Sequence, residues 1–226
     1  MKKTLRIILL CIIVISVLPS CTLGVPSWLV GEASFELDEE ALSEIRTLIR
    51  TTNTDTAYLE RGIGNVQEYF YIENNECLWY KENSLDTIEA YRSGKLYNYD
   101  CDTEKLTRKD YKFNSSEYES EIEKGYEILK NVLRFNSNCF AASAYRIAGN
   151  KNNTDVTLDF KNPELSSDSI MLDVKFVRLG FVYNSKEKTY SKPFINWQIK
   201  NASYSVSFDE NNKDALNEMI SGLFKM

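Results

Sequence analysis

The sequence predicts an α+β fold: one large, curved, mainly antiparallel sheet, a partial barrel, with about three helices. Three observations lead there. Apolar residues recur at helical spacing in three separated segments, near residues 38–50, 116–135 and 213–223. Between them lie short alternating runs rich in Tyr, Phe, Val and Ile. The links between those runs are short and turn-like, which favours antiparallel neighbours over helical crossovers. A twisted sheet of this length tends to curl.

The chain opens with Lys2, Lys3 and Arg6, followed by Ile7 to Leu18, in which only Ser16 is polar. As a helix this run spans roughly 18 Å, short of the ~20 apolar residues that a bilayer core needs. It has the length of a signal-peptide core. Leu18-Pro19-Ser20-Cys21 follows. Leu18, Ser20 and Cys21 match, and Pro19 departs from, the lipobox of bacterial lipoprotein signal peptides, which this stretch resembles. The resemblance implies cleavage before Cys21, diacylglycerol on its thiol and a membrane anchor. The expected plan is a signal peptide over 1–20, a lipidated Cys21 and tether over 21–35, and a single α+β domain over 36–226. The expected location is the extracytoplasmic face of the cell membrane, or the outer membrane if the host has one, because Thr22 is not the Asp that retains lipoproteins at the inner membrane.

The first helix is capped by Asp38, with Glu39 and Glu40 favouring the dipole and Leu37 and Leu42 placed as a hydrophobic staple. Leu42, Ile45, Leu48 and Ile49 share its apolar face, and it ends near Arg50. Strands are expected at Thr56–Arg61, Val66–Glu73, Glu76–Lys81, Asp86–Arg92 and Lys95–Cys101, with hairpin turns at Asn74-Asn75 and Ser93-Gly94. Ile88 and Ala90 face one way, Thr87, Glu89 and Tyr91 the other; Tyr97 and Tyr99 oppose Leu96 and Asn98. A second helix starts at the capping-box pattern Ser116…Glu119 and runs to about Phe135, with Gly125 inside it. Strands return at Phe140–Ala148, Thr154–Phe160, Ser169–Val177, Phe194–Lys200 and Tyr204–Phe208, and a last helix starts near Lys213. The order is helix, about five strands, helix, about five strands, helix.

Tyr91 to Asp110, YRSGKLYNYDCDTEKLTRKD, resembles a hairpin of the lipoprotein-carrier superfamily, which includes the LolA-type carriers and mycobacterial lipid-binding lipoproteins. Ser93-Gly94, Tyr97, Tyr99 and Asp100 hold comparable places, in the order strand, glycine turn, aromatic strand, acidic turn, strand. The resemblance implies an unclosed barrel with helices on its concave side and a bound acyl chain or other hydrophobic ligand.

Composition excludes several chemistries. There is no histidine, which removes Ser-His-Asp and Cys-His catalysis and every His-containing zinc site. The net charge is −6; without Lys2, Lys3 and Arg6, 24 basic residues face 33 acidic ones, a balance of −9. That disfavours nucleic acid, no basic cluster stands out along the chain, and membrane affinity falls to the anchor. Cys77, Cys101 and Cys139 form no CxxC pattern; Cys77 and Cys101 would pair if their strands were neighbours, and otherwise are buried thiols.

Asp100-x-Asp102-x-Glu104 lacks the glycine and later Glu of a calcium loop and reads as a solvated turn. No metal or cofactor is expected. Glu39-Glu40, Glu117-Glu119-Glu121 and Glu187 fit solvent faces better than a catalytic pair. Tyr69, Tyr71, Tyr80, Tyr91, Tyr97 and Tyr99 either line a cavity or straddle core and surface as strand residues. Asn114, Asn152 and Asn201 begin Asn-x-Ser/Thr sequences, which matter only in a eukaryotic secretory pathway. The expectation is a non-enzymatic surface lipoprotein, binding a hydrophobic ligand between sheet and helices. The alternative is an accessory, inhibitory or immunity-type lipoprotein that contacts another protein.

Overall fold

The computed structural model describes residues 38–83, 86–135, 139–147, 149–163, 174–210 and 212–225. The expected signal peptide over 1–20, Cys21, the expected tether and Leu37 lie outside the described residues. The order is α1 (Glu39–Thr51), β1 (Thr56–Ile63), β2 (Val66–Glu73), β3 (Glu76–Asn83), β4 (Thr87–Arg92), β5 (Lys95–Asp100), β6 (Lys105–Asp110), α2 (Ser116–Phe135), β7 (Cys139–Arg146), β8 (Asn153–Lys161), β9 (Val174–Asn184), β10 (Thr189–Ile199), β11 (Ala202–Ser207) and α3 (Asn212–Gly222).

All eleven strands form one antiparallel sheet in the order β6-β5-β4-β3-β2-β1-β11-β10-β9-β8-β7. It is not closed: among the described residues β6 and β7 are its two edges. Two meanders are joined where β11 returns beside β1, Leu59 opposite Val206. The chain leaves one meander at β6 and enters the next at β7, ten strand spacings away, on the order of 48 Å along the sheet. The 20 residues of α2 supply ~30 Å of that path. A long helix laid across the sheet is therefore built into the connection.

The hairpin turns follow local chemistry. Asn74 and Asn75 have φ of 49° and 67°, and Ser93 and Gly94 of 50° and 77°, as mirror-image two-residue turns require. The helix starts are less uniform. Asp38 caps α1, its carboxylate accepting from Ala41 N at 2.8 Å. The capping box expected at Ser116 and Glu119 does not form. The Ser116 hydroxyl turns back to Asn114 Oδ1 at 2.5 Å, and Glu119 N donates to Ser115 O at 3.0 Å.

Three strand expectations change. A sixth strand, β6, follows β5 and is made almost wholly of charged and polar residues. The expected strand at Ser169–Val177 overlaps β9 only from Val174; residues 164–173 lie outside the described residues. β9 continues to Asn184 and β10 begins at Thr189, forming a long hairpin that the sequence does not announce. Its register shifts twice, between Gln198 and Ile199 and between Ser191 and Phe194; at the latter Lys192 has φ of 51° and Pro193 follows, a bulge that absorbs a residue unable to donate to the ladder.

The sheet has two apolar faces. On the first, Leu59, Phe70, Leu158, Leu179, Ile195, Trp197 and Val206 meet Ile45 and Ile49 of α1 and Ile122, Leu129 and Val132 of α2. α2 buries six apolar side chains, from Tyr118 to Leu133; at ~1.5–3 kcal/mol each, that contact is worth on the order of 10 kcal/mol. On the second face, Leu216 and Ile220 of α3, with Leu223 just beyond it, cover Tyr58, Tyr71, Leu78, Tyr80, Ile88 and Tyr99. The helices thus do not share one side of the sheet, as the carrier resemblance would place them.

Candidate functional site

α2 is the organising element. Gly125 lets it settle against the sheet, because a Cβ there would stand 3.0 Å from the Trp197 ring and 3.1 Å from Val206 Cγ2. Trp197 is itself fixed, fully buried and stacked on Tyr204 at 5.0 Å and 6°. With the helix seated so low, the space between the first face and α1–α2 is filled by side chains. Among the described residues, a groove runs along each flank of α2.

One groove, about 670 Å³, runs between α2 and the β2–β3 turn. Ile72, Ile122 and Tyr126 are its apolar part, and Asp55, Glu119, Glu123 and Glu127 make it acidic. The other, about 680 Å³, lies between α1 and α2, with Ile49 and Leu133 beneath Arg46, Arg50, Lys130 and Arg134. Lys130 and Glu127 belong to both; they form an ion pair, and Lys130 also lies 4.7 Å above the Tyr126 ring. The absence of a basic run in the sequence therefore does not carry into three dimensions. Each helix contributes two cations four residues apart, one turn above the other, and packing brings the pairs together.

At the start of α2 a charged group is buried on the first face. Arg61 of β1 and Glu68 of β2 are directly opposed across their hairpin. Arg61 Nε donates to Glu68 Oε2 at 2.6 Å, and its guanidinium also pairs with Glu117. The Tyr118 hydroxyl donates to Glu68 Oε1 at 3.3 Å, and Lys81 Nζ is 4.0 Å away. The Arg61 guanidinium stacks on the Tyr118 ring at 5.0 Å. Burial, and then the Glu68 charge, push the Tyr118 phenol well above its usual range, so it stays a donor.

On the second face beyond α3, Asp159 is buried and Arg178, Asn196 and Ser205 are half-buried. Asp159, Arg178, Asn196 and Ser205 stand opposite one another on β8, β9, β10 and β11. Arg178 grips Asp159 through Nε at 2.7 Å and Nη2 at 2.8 Å. Phe194 lies across Gly180, where any Cβ would meet the ring at 1.9 Å. Tyr145 on edge strand β7 is 45% exposed.

The residues singled out from sequence are dispersed. Cys21 is outside the described residues. Tyr71, Tyr80 and Tyr99 are buried under α3, with Tyr69 and Tyr97 partly buried beside them, while Tyr91 is on the other face stacked on Phe113 at 4.9 Å. Burial pushes Tyr80 up to about 12. These rings act as core and lid contacts of α3 rather than as a cavity lining.

Cys77 packs with the first-face core and Cys101 with the second, on strands that are not neighbours, so the pairing considered for them is ruled out by position. All three described cysteines are free, and burial pushes Cys77 up to about 11. Asp100 caps its own turn, accepting from Thr103 N at 2.8 Å. Glu119 lines the acidic groove, Glu117 holds Arg61, and Glu121 pairs with Lys124. Among the described residues no three His, Cys, Asp or Glu are placed to hold a metal ion, and no helix is long and apolar enough to cross a membrane.

No protein-family model matches the chain, and no curated protein matches it either.

Proposed function

We propose that this chain is a membrane-anchored surface lipoprotein, held by a lipid on Cys21, whose folded body binds a protein partner and carries out no catalysis. The observation that supports a protein partner over a ligand is the packing between the first sheet face and α1–α2, where Ile45, Leu59, Phe70, Leu129 and Trp197 are fully buried in one cluster. The proposed contact surface is the second face beyond α3, centred on exposed Tyr145 and Gln198. It combines an aromatic (Tyr145), a half-buried Phe194 and a bidentate Arg178–Asp159 pair, the residue types that interfaces concentrate.

A second reading, a carrier of acyl chains, is supported by the unclosed eleven-stranded antiparallel sheet with two helices laid on one face. In that reading the sheet curls as a partial barrel and a ligand enters beside Ile72, Ile122 and Tyr126 as α2 lifts.

One purification separates these readings. Protein taken from its own membrane is digested for mass spectrometry of the Cys21 peptide, and its organic extract is analysed for retained apolar molecules. A photo-crosslinking residue is placed at Tyr145 or Gln198, with Lys109 of β6, opposite Leu96 on the first face, as control. The expected result is a lipid-modified Cys21, an empty extract, and discrete protein adducts from the second face only. A full-length, unmodified amino terminus rejects the anchor. A stoichiometric apolar ligand with no adducts replaces the contact reading with the carrier.

A further inference from the structure

We propose that the groove between α1 and α2 is a seat for the phosphate of an anionic lipid headgroup, so that this side of the body faces the bilayer. Arg46 and Arg50 from α1 meet Lys130 and Arg134 from α2 around one opening of about 680 Å³. Among the described residues of the lining, four cations stand with one carboxylate, Glu127, in a chain whose total charge is −6. Glu39 reaches Arg46 from outside the groove, at 4.0 Å, with an 89% exposed side chain. Guanidinium forks match phosphate oxygens in pairs, and three of the four cations are arginines. Beneath them Ile49 and Leu133 give an apolar floor. That combination suits a headgroup at the rim with the glycerol backbone below it.

The lipid source is favoured over free phosphate by position. This step rests on the reading of Cys21 as the anchor. Glu39, the first residue of α1, stands 18 positions after Cys21, so a fully extended link holds it within about 60 Å of the leaflet surface. The cations act within a Debye length of about 10 Å, where an anionic leaflet attracts each of them and the acidic remainder of the body is screened. The second sheet face then points away from the membrane, towards a partner.

The test removes the anchor. Mature protein, residues 21–226 with Cys21→Ser, is sedimented with vesicles of phosphatidylcholine alone or with 30 mol% phosphatidylglycerol (about 30%, enough to give a strongly negative surface). Binding to the anionic vesicles alone is expected, lost at high salt. Arg46→Gln/Arg50→Gln is expected to weaken it roughly 25-fold, about fivefold for each cation lost. Arg108→Glu/Lys109→Glu on edge strand β6 is expected to leave it unchanged, with circular dichroism confirming that both variants fold. Failure of the anchor-free protein to bind anionic vesicles overturns the proposal, as does an equal loss in the β6 variant. Displacement by millimolar inorganic phosphate assigns the groove to small phosphates and overturns the membrane part. Mass spectrometry of Cys21 reads the anchor separately, so either reading can fail alone.

Discussion

Removing Glu68 is expected to destabilise this fold more than removing any other carboxylate described here. The side chains of Arg61 and Glu68 are 10% and 8% exposed, whereas that of Glu117, the second partner of Arg61, is 68% exposed. Breaking a buried pair from one side costs about 3–5 kcal/mol, because the remaining charge stays desolvated. Glu68→Ala leaves Arg61 with Glu117 and the Tyr118 ring, which places it near the low end, about 3 kcal/mol. Arg61→Ala leaves Glu68 with a hydroxyl at 3.3 Å and an ammonium at 4.0 Å, and about 4 kcal/mol is expected. Glu117→Ala removes a solvated partner and costs under ~1 kcal/mol.

The pair itself is not worth the sum. Arg61→Leu/Glu68→Leu replaces both charges with apolar volume on a face already lined by Phe70 and Trp79. That double variant is expected within about 1.5 kcal/mol of the parent. Equilibrium urea unfolding in the Cys21→Ser background measures all four. A cost below 1 kcal/mol for Glu68→Ala, or a double variant as unstable as the two single losses added together, would show that the pair is solvated and refute the reasoning.

Three further outcomes follow from positions already described. Gly125→Ala gains about 1 kcal/mol of helix propensity, yet its Cβ presses on a Trp197 ring that Tyr204 and burial hold still; a net loss of about 1 kcal/mol in urea unfolding is expected, and Gly125→Val is expected to lose more. Alkaline stability is expected to fall between pH 10 and about 12. Tyr80 and Tyr190 are pushed by burial up to about 12, so the folded chain keeps protons that the unfolded chain releases near 10. Their contribution is therefore complete below pH 10 and lost as pH rises through the folded values, which absorbance at 295 nm alongside circular dichroism will follow. The Cys77 thiol, pushed up to about 11 by burial and then by the Glu119 charge, is expected to react with maleimide at pH 7 at least tenfold more slowly than in urea, and oxidation is not expected to join it to Cys101.

The hairpins were legible because their turns are written in residues that tolerate positive φ, as at Asn74-Asn75 and Ser93-Gly94. The helices were legible because their apolar spacing survives alone: Ala41, Ile45 and Ile49 are buried as the period requires, even though Leu42 and Leu48 are only partly covered. What failed were strands whose residues answer to something other than a buried face. β6 is an edge, and Lys105, Arg108 and Lys109 keep it from pairing further, which erases the alternation that marks a strand. The β9–β10 hairpin hides behind Gly180, kept small by the Phe194 ring, and behind Pro193 at the bulge.

The buried charges show how close the site came to being readable. Gly64 has φ of 60°, and a two-residue turn over Gly64-Asn65 sets Ile63 opposite Val66 and hence Arg61 opposite Glu68. Once that turn is recognised, an opposed Arg–Glu pair on a strand face shared with Leu59 and Phe70 predicts a buried ion pair, because neighbours on that face are apolar. The basic groove admits no such shortcut. Arg46 and Arg50, like Lys130 and Arg134, each form an ordinary solvated pair on one helix. Only the packing of α1 beside α2 over β10 turns two unremarkable stripes into one opening. That packing is decided by Gly125 and the Trp197 side chain beneath it, so the site's charge pattern is written in two helices, while its assembly is written in a glycine and a tryptophan that carry no charge at all.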